Sequence, residues 1–296
     1  MREVKIVADT ACELTLAAAE SLAVDLVPFS ITIDDTTSFK DTFDMSSAEF
    51  YKKTKEKGAH PKTSLPSPGD YLEVFQRSAK EGKDIICICL SAGLSGSYQS
   101  AVTAANDIKD EYPDIKIHVV DSNLATCLIY SIVSDAAELA KQGVPADKIV
   151  KAIEVAKTDY IGTFTVDSLD QLVRGGRVSK AAGVAGSVLD IKPIIHLKDG
   201  KLEAGVKLRG RKKAVAYTVD KLEEWFQGKK LDDYRVFALY GDNPNEGEEI
   251  QELISKKLNI PASEILVHAA GSTIGAHTGP TINAAASVAR LRTCVQ

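Results

Sequence analysis

Apolar positions in the first half of the chain alternate between two patterns. Short unbroken runs, such as VKIVA at 4–8 and IICICL at 85–90, read as strands buried on both faces. Stretches whose apolar residues recur every three or four positions follow them and read as amphipathic helices. The strand at 4–8 leads through Asp9-Thr10 into a helix at 14–22, and residues 25–34 form a second strand around Pro28, with its tip at Asp34-Asp35. A polar segment then runs to Asp44. Ser46-Ser47-Ala48-Glu49 is a capping box that opens the next helix, the serine capping backbone N–H groups and the glutamate reaching back. In the loop PKTSLPSPGD at 61–70, Ser67 as N-cap and Pro68 at the first helical position start another helix, continued by Leu72, Phe75 and Ala79. After the run at 85–90, Tyr98, Ala101, Val102, Ala105 and Ile108 keep helical spacing. A strand at 115–121 turns through Ser122-Asn123 into a long helix to about Lys141, and Pro145 begins a helix through Ile149, Ile153 and Val155. Strand then helix, repeated, predicts a three-layer α/β domain over residues 1–158, with a parallel sheet between helices.

The pattern changes after about residue 158. A strand at 160–166 is followed by a short helix at 169–173, stopped by Gly175-Gly176. Ile191, Pro193, Ile195 and Leu197 alternate up to Lys198-Asp199-Gly200, and Leu202, Ala204 and Val206 alternate beyond it, which is a hairpin with an Asp-Gly turn. Val215, Val219, Leu222 and Phe226 make a helix stripe. Strands at 235–240 and 265–269 flank a helix carrying Ile250, Leu253, Ile254 and Leu258. The alanine-rich stretch from Thr281 fits helix or strand equally. The mixture predicts a second, two-layer α+β domain with a mixed sheet over residues 159–296.

Composition narrows the function classes. With 44% apolar and 26% charged residues and a net charge of −5, the 296-residue chain is an ordinary globular protein. Its one basic cluster, Arg209-Gly210-Arg211-Lys212-Lys213, is no nucleic-acid footprint. Five scattered cysteines, with no C-x-x-C pair, argue against both a disulfide framework and a zinc site. The opening MREVKIVADT does not read as a signal peptide, and no apolar run approaches the ~20 residues that span a bilayer. The expected location is cytoplasmic, with no nucleic-acid partner and no integral membrane segment.

Ligands of parallel α/β sheets gather beyond the carboxyl ends of the strands. Asp9-Thr10, residues 91–97 and Asp121-Ser122 all fall at such ends and are expected to converge on one crevice. Residues 91–97, SAGLSGS, place serine hydroxyls and free backbone N–H groups at a helix N-terminus, which favours an anion. Gly93-Leu94-Ser95-Gly96-Ser97 nearly matches the nucleophile elbow G-x-S-x-G, with serine in place of the last glycine. A nucleophilic Ser95 needs a histidine oriented by a carboxylate. His118, His196, His268 and His277 are available, and none is marked as a base by its neighbours. Ser95 therefore reads as a nucleophile, a passive anion holder or part of a structural turn. The loop is neither a Walker A motif nor a dinucleotide fingerprint, so the anion need not be a nucleotide phosphate. Thr63-Ser64 lies in a proline-flanked loop, His277-Thr278-Gly279-Pro280 is a rigid turn, and Arg177 follows Gly175-Gly176 as a helix C-terminal cation would.

These pieces occur in one order: TSLPSP at 63–68, LSAGLSGSYQSA at 90–101, DS at 121–122, LVRGGRVSK at 172–180, IKPII at 191–195 with DGKL after it, and HTGP at 277–280. Together they resemble the DegV family of bacterial fatty-acid-binding proteins, from Asp9 to about Pro280. The resemblance implies a two-domain α/β carrier, with no catalytic residue, cofactor or metal of its own, that buries one long-chain fatty acid near the domain interface. Carried over, Thr63 and Ser64 with Ser95 and the Gly96 backbone would hold the carboxylate, and His277 and Arg177 would complete the polar end. The family implies a partner, the ATP-binding subunit of a fatty acid kinase, which would convert the presented carboxylate to an acyl-phosphate. Arg209 is similar to the arginine implicated in docking that subunit. A serine acyl hydrolase using Ser95 and a lipid-sensing regulator are the alternatives. Leu65 stands where the family usually has glutamine, Thr126-Cys127-Leu128-Ile129-Tyr130 where small residues and glycine are common, and Thr281 where glycine is usual. These side chains are expected to line the tail tunnel and to set its shape.

Overall fold

The computed structural model describes residues 2–34, 38–179 and 190–294. Asp35 at the predicted strand tip and Lys180 at the end of LVRGGRVSK lie outside the described residues. The strands of the first half are β1 (Val4–Asp9), β2 (Val24–Val27), β3 (Ser30–Thr32), β4 (Ser38–Lys40), β5 (Lys62–Ser64), β6 (Asp84–Cys89) and β7 (Ile117–Asp121). Those of the second are β8 (Tyr160–Thr165), β9 (Ile191–Lys198), β10 (Lys201–Arg209), β11 (Tyr234–Tyr240), β12 (Ile265–Ala269) and β13 (Asn283–Ala289).

The predicted parallel sheet is present, in the order β2-β1-β6-β7. Alternate residues of its strands face opposite ways. Val7, Cys87 and Cys89 pack under the helices Pro68–Lys80 and Ser97–Lys109. Ile6, Ala8, Ile86 and Ile88 pack on the other side, with the helices Cys127–Lys141 and Ala146–Ala156. Both predicted capping signals form. Ser46 and Glu49 exchange the two bonds of a capping box, and Ser67 does the same with Asp70, Pro68 opening the helix.

One predicted strand is two. Residues 25–34 break at Pro28, and β3 leaves the parallel sheet to form a small antiparallel one, in the order β4-β3-β5. Proline has no N–H for a ladder. At Phe29 the chain is already turning, its N–H donating to Thr10 Oγ1 at 3.1 Å and its carbonyl accepting from Asp41 N at 2.8 Å. This small sheet carries Thr63 on β5.

The second sheet is mixed, in the order β10-β9-β8-β13-β11-β12, with only β11 and β12 parallel among its pairs. The ambiguous alanine-rich stretch is its strand β13, paired on both sides. Alanine favours helix in isolation, but two flanking strands override that preference. The hairpin turn is at Asp199 and Gly200, both at positive φ, as a two-residue turn of this kind requires. One face of the sheet lies under the helices Arg211–Phe226 and Pro244–Leu258. The other shares a continuous apolar core with the helix Cys127–Lys141. The layers of the two sheets therefore meet along a common face, and the candidate site lies there.

Candidate functional site

The three polar loops do converge, but two of them build the third rather than face a ligand. Buried Asp9 accepts the Leu90 N–H at 2.9 Å and the Ser97 hydroxyl at 2.7 Å. Asp121 accepts the Ala92 N–H at 3.0 Å. Burial raises the Asp9 carboxyl from 3.8 to about 6. The hairpin tip then seats on the finished loop, with the Ser91 hydroxyl donating to Gly200 O at 2.6 Å. A Cβ on Gly93 would stand 2.4 Å from that carbonyl oxygen, so a side chain there collides with backbone. Within the loop, Ser95 Oγ accepts the Ser97 N–H at 3.2 Å, the first donor of the helix Ser97–Lys109.

Beside this loop lies a cavity whose non-atom space, counted together with the open solvent at its mouth, is about 800 Å³. Its walls come from both sheets: Phe29, Leu90, Leu94 and residues 125–128 on one side, and Phe164, Leu197, Leu239 and Ala284 on the other. Strand register explains why space is left there. Leu197, Gly162, Ala286 and Phe237 stand opposite one another in a row across β9, β8, β13 and β11. The next row is Ile195, Phe164, Ala284 and Leu239. Large side chains flank small ones, so the sheet has a trough floored by Gly162, Ala284 and Ala286.

One end of the cavity is polar. Thr63 Oγ1 and His277 Nε2 lie 2.8 Å apart. Arg177 donates from Nε to Leu94 O at 3.0 Å and from Nη1 to Gly175 O. Burial lowers the His277 imidazole from 6.5 to about 4, and the Arg177 charge pushes the same way, so the ring is neutral at neutral pH. Burial also lowers Arg177, yet a guanidinium stays charged in proteins. Thr63, Ser95, Arg177 and His277 thus share one cavity wall. Ser64 on β5 and Gly96 in the loop are exposed, and neither is among the residues lining the cavity. Arg209 is exposed at the end of β10.

A second, open depression of about 900 Å³ adjoins the polar end and shares Thr63, Arg177 and His277 with it. His60, Lys62, Gln171 and Arg174 also line it, with Pro61, Gly175 and Ala276, and the lining contains no carboxylate. It is a basic vestibule. Of the residues expected to line a tail tunnel, Thr126, Cys127 and Leu128 line the cavity. Thr281 does not, because its hydroxyl accepts the Asp167 N–H at 3.0 Å and its carbonyl accepts from Arg211. Leu65 does not either. It is 45% exposed, and a Cβ on Gly96 would lie 3.1 Å from its Cδ2. Sequence reasoning missed Gly162, Ala284 and Ala286, because small residues in a strand carry no periodic signal.

The arrangement does not make a hydrolytic triad. Among the described residues no histidine is hydrogen-bonded to Ser95, and His277 has no carboxylate partner, whereas His118 and His268 pair with Asp147 and Glu13. Among them, too, no group of three or more histidine, cysteine or acidic residues is placed to hold a metal, and no helix is long and apolar enough to cross a membrane. What remains is an apolar cavity with fixed donors and a cation at one end, which suits an amphiphile with an acidic end.

Fold and site define a two-sheet α/β protein with an apolar cavity between the sheets. The sequence model of the DegV family matches residues 3–290, and the chain belongs to that family. It is 31% identical over 283 residues to the fatty acid-binding protein of Thermotoga maritima, covering 94% of this chain and 95% of that one. The stearic acid-binding protein of Eubacterium ventriosum superposes with a TM-score of 0.89 at 29% identity, over 98% of this chain and 99% of that one. A fatty-acid-binding DegV family protein of Thermus thermophilus gives 0.85 at 29% identity, over 98% and 100%.

Proposed function

We propose that this protein is a cytoplasmic carrier that binds one long-chain fatty acid in the cavity and presents its carboxylate to a separate ATP-dependent kinase subunit. The observation that carries the reading is the pairing of an apolar trough with a polar end built from Arg177, Ser95 and the Thr63–His277 pair. At about 0.8 kcal/mol per buried methylene, a tail of ~14 methylenes supplies on the order of 10 kcal/mol. A nanomolar complex corresponds to about 12 kcal/mol net, so the buried tail is a contribution of the same order, against which the cost of association is set. The polar end then selects the acid. With the proton on Nε2, His277 donates to Thr63 Oγ1, and the Thr63 hydroxyl is free to donate to the carboxylate. Ser95 in this reading is a holder, not a nucleophile.

The vestibule supports the kinase half of the reading. A carboxylate held by Thr63, Arg177 and His277 borders the space lined by Lys62 and Arg174, where an added phosphoryl group would meet positive charge. We assign Arg209 to docking of the kinase subunit on the strength of the family resemblance, and residues 1–158 and 159–296 to the two domains that enclose the lipid. The direct test is mass spectrometry of lipid extracted from the denatured recombinant protein. A long-chain fatty acid near one equivalent is expected, and its absence counts against binding. Hydroxylamine trapping of acyl-phosphate, with the kinase subunit and ATP added, tests presentation separately.

A further inference from the structure

We propose that Glu13 is a positioning residue of the cavity: a buried carboxylate outside its lining that fixes two of the backbone segments forming its wall. The inference rests on the reading of the cavity as a fatty-acid site. Glu13 follows the short turn Thr10–Cys12 with φ 60 and ψ 23, a left-handed conformation that is costly for a residue other than glycine. Its side chain is 2% exposed. A buried charge persists only where it is paired and hydrogen-bonded. Here three donors from three separate elements satisfy it.

The first donor is the Gly271 N–H, 2.6 Å from Oε1. Gly271 is the N-cap of the helix Ser272–Thr278, which brings Thr273, Ile274, His277 and Thr278 to the cavity. A Cβ on Gly271 would stand 3.0 Å from Glu13 Cγ, so the stem of the carboxylate occupies the space a side chain would need. The second donor is the Thr126 hydroxyl, 2.5 Å from Oε2. Thr126 has φ 53 and ψ −135, a conformation suited to glycine and strained for a β-branched residue, and it lines the cavity. Its carbonyl accepts from Ile129 and Tyr130, so it also starts the helix whose first residues continue the wall. The third is His268 Nε2, 2.9 Å from the same Oε2, with its ring 4.9 Å from that of Tyr130.

Strain persists only where its surroundings over-determine it. If stability were the only demand, a glycine at position 126 would relieve the strain without an anchor. The carboxylate instead ties a strained cavity residue and the His277 helix to one point, so the distance between the two is set by a single side chain.

The test uses Glu13→Gln, which keeps the size and loses the charge and one acceptor oxygen. Thr126→Val removes the hydroxyl contact at near-constant volume of that lining residue, and His268→Gln removes the imidazole contact together with its packing on Tyr130. Two readouts are taken on the full chain: imidazole NMR of His277 in ligand-free protein, and palmitate affinity by displacement of a fluorescent fatty acid well below the melting temperature. Glu13→Gln is expected to move the His277 resonances and to weaken palmitate at least tenfold. Thr126→Val is expected to weaken it several-fold, and His268→Gln to lower the melting temperature with affinity within twofold of wild type. Should Glu13→Gln not fold, the contrast between Thr126→Val and His268→Gln decides. Unmoved His277 resonances, or affinities that merely track melting temperature across the variants, overturn the proposal. Wild-type protein that takes no palmitate refutes the fatty-acid reading, while the ligand-free His277 spectra still decide the role of Glu13.

Discussion

Replacing His277 by glutamine should reverse one part of the protein's response to acid. The folded imidazole is held at about 4 rather than 6.5 by burial first and the Arg177 charge second. Between these values the unfolded chain takes up a proton that the folded chain refuses. The neutral ring therefore contributes stability that is present above 6.5 and lost as pH falls through about 4. At 1.36 kcal/mol per pH unit the gap is worth about 3 kcal/mol. Asp9 works in the opposite direction. Burial raises its carboxyl from 3.8 to about 6, so the folded chain keeps a proton that the unfolded chain has released. That contribution is fully present below 3.8 and lost as pH rises through about 6, and it is again worth about 3 kcal/mol. In the wild type the two oppose each other over the same window. Relative to wild type, His277→Gln should grow more stable on acidification from pH 6.5 to 4, and Asp9→Asn less stable. With an unfolding entropy of about 2.1 cal/mol/K per residue, a 296-residue chain shifts by roughly 1.6 °C per kcal/mol, so each difference in melting temperature should reach about 5 °C. Differential scanning fluorimetry across this range measures both. If both variants keep the wild-type pH dependence, neither group is displaced by its surroundings, and the account of a neutral His277 beside a charged Arg177 is wrong.

Ala286→Leu puts three more carbons on the floor of the trough and should displace about three methylenes, costing a C18 acid about 2.4 kcal/mol, or roughly 50-fold, while a C12 acid changes little. A competition series from C12 to C18 reads this out, and an unchanged length profile rejects the trough as the tail site. Arg177→Met should weaken fatty acids by about 1.5–3 kcal/mol, or roughly 10–150-fold, and leave fatty alcohols unaffected. Equal losses for acid and alcohol in calorimetry would mean that the carboxylate lies elsewhere. Gly93→Ala should destabilise the protein by about 1–3 kcal/mol, because its Cβ meets the Gly200 carbonyl at 2.4 Å. A melting temperature equal to wild type would show that the hairpin tip is not seated on the serine loop.

The sequence revealed those parts of the fold whose causes are local. Ser46 with Glu49, Ser67 with Pro68 and Asp199-Gly200 each act within a few residues, and each does in the structure what its chemistry requires. The parallel sheet was legible because its strands are buried on both faces and read as unbroken apolar runs. The break at Pro28 was hidden because Leu26 and Val27 before it and Phe29, Ile31 and Ile33 after it are all buried, although β2 and β3 belong to different sheets. Strand β13 was hidden for a related reason. Its alanines are small because the trough needs space, and that need arises only when β8 and β11 lie on either side. Thr63, Ser95, Arg177 and His277 could be picked out from their turns, but the 2.8 Å contact between Thr63 and His277 spans more than two hundred residues and leaves no local trace.

Burying an alkyl tail is non-directional, so it cannot distinguish an acid from the corresponding alcohol or ester. That discrimination falls to the polar end, and its components suit holding better than reacting. Arg177 is already committed to the carbonyls of Leu94 and Gly175, so an arriving carboxylate meets a cation that is partly satisfied and therefore not overpoweringly attractive. The same guanidinium, together with burial, keeps His277 neutral at neutral pH. A ring held at about 4, with no carboxylate to orient it among the described residues, is a poor general base for activating Ser95. The environment that disqualifies His277 as a base makes it a neutral donor that can support Thr63 against an anion. In the proposed complex the basic vestibule leaves the carboxylate open to a partner on the side away from the tail. In that complex the tail would supply most of the burial and the head the recognition, with the chemistry left to the kinase subunit.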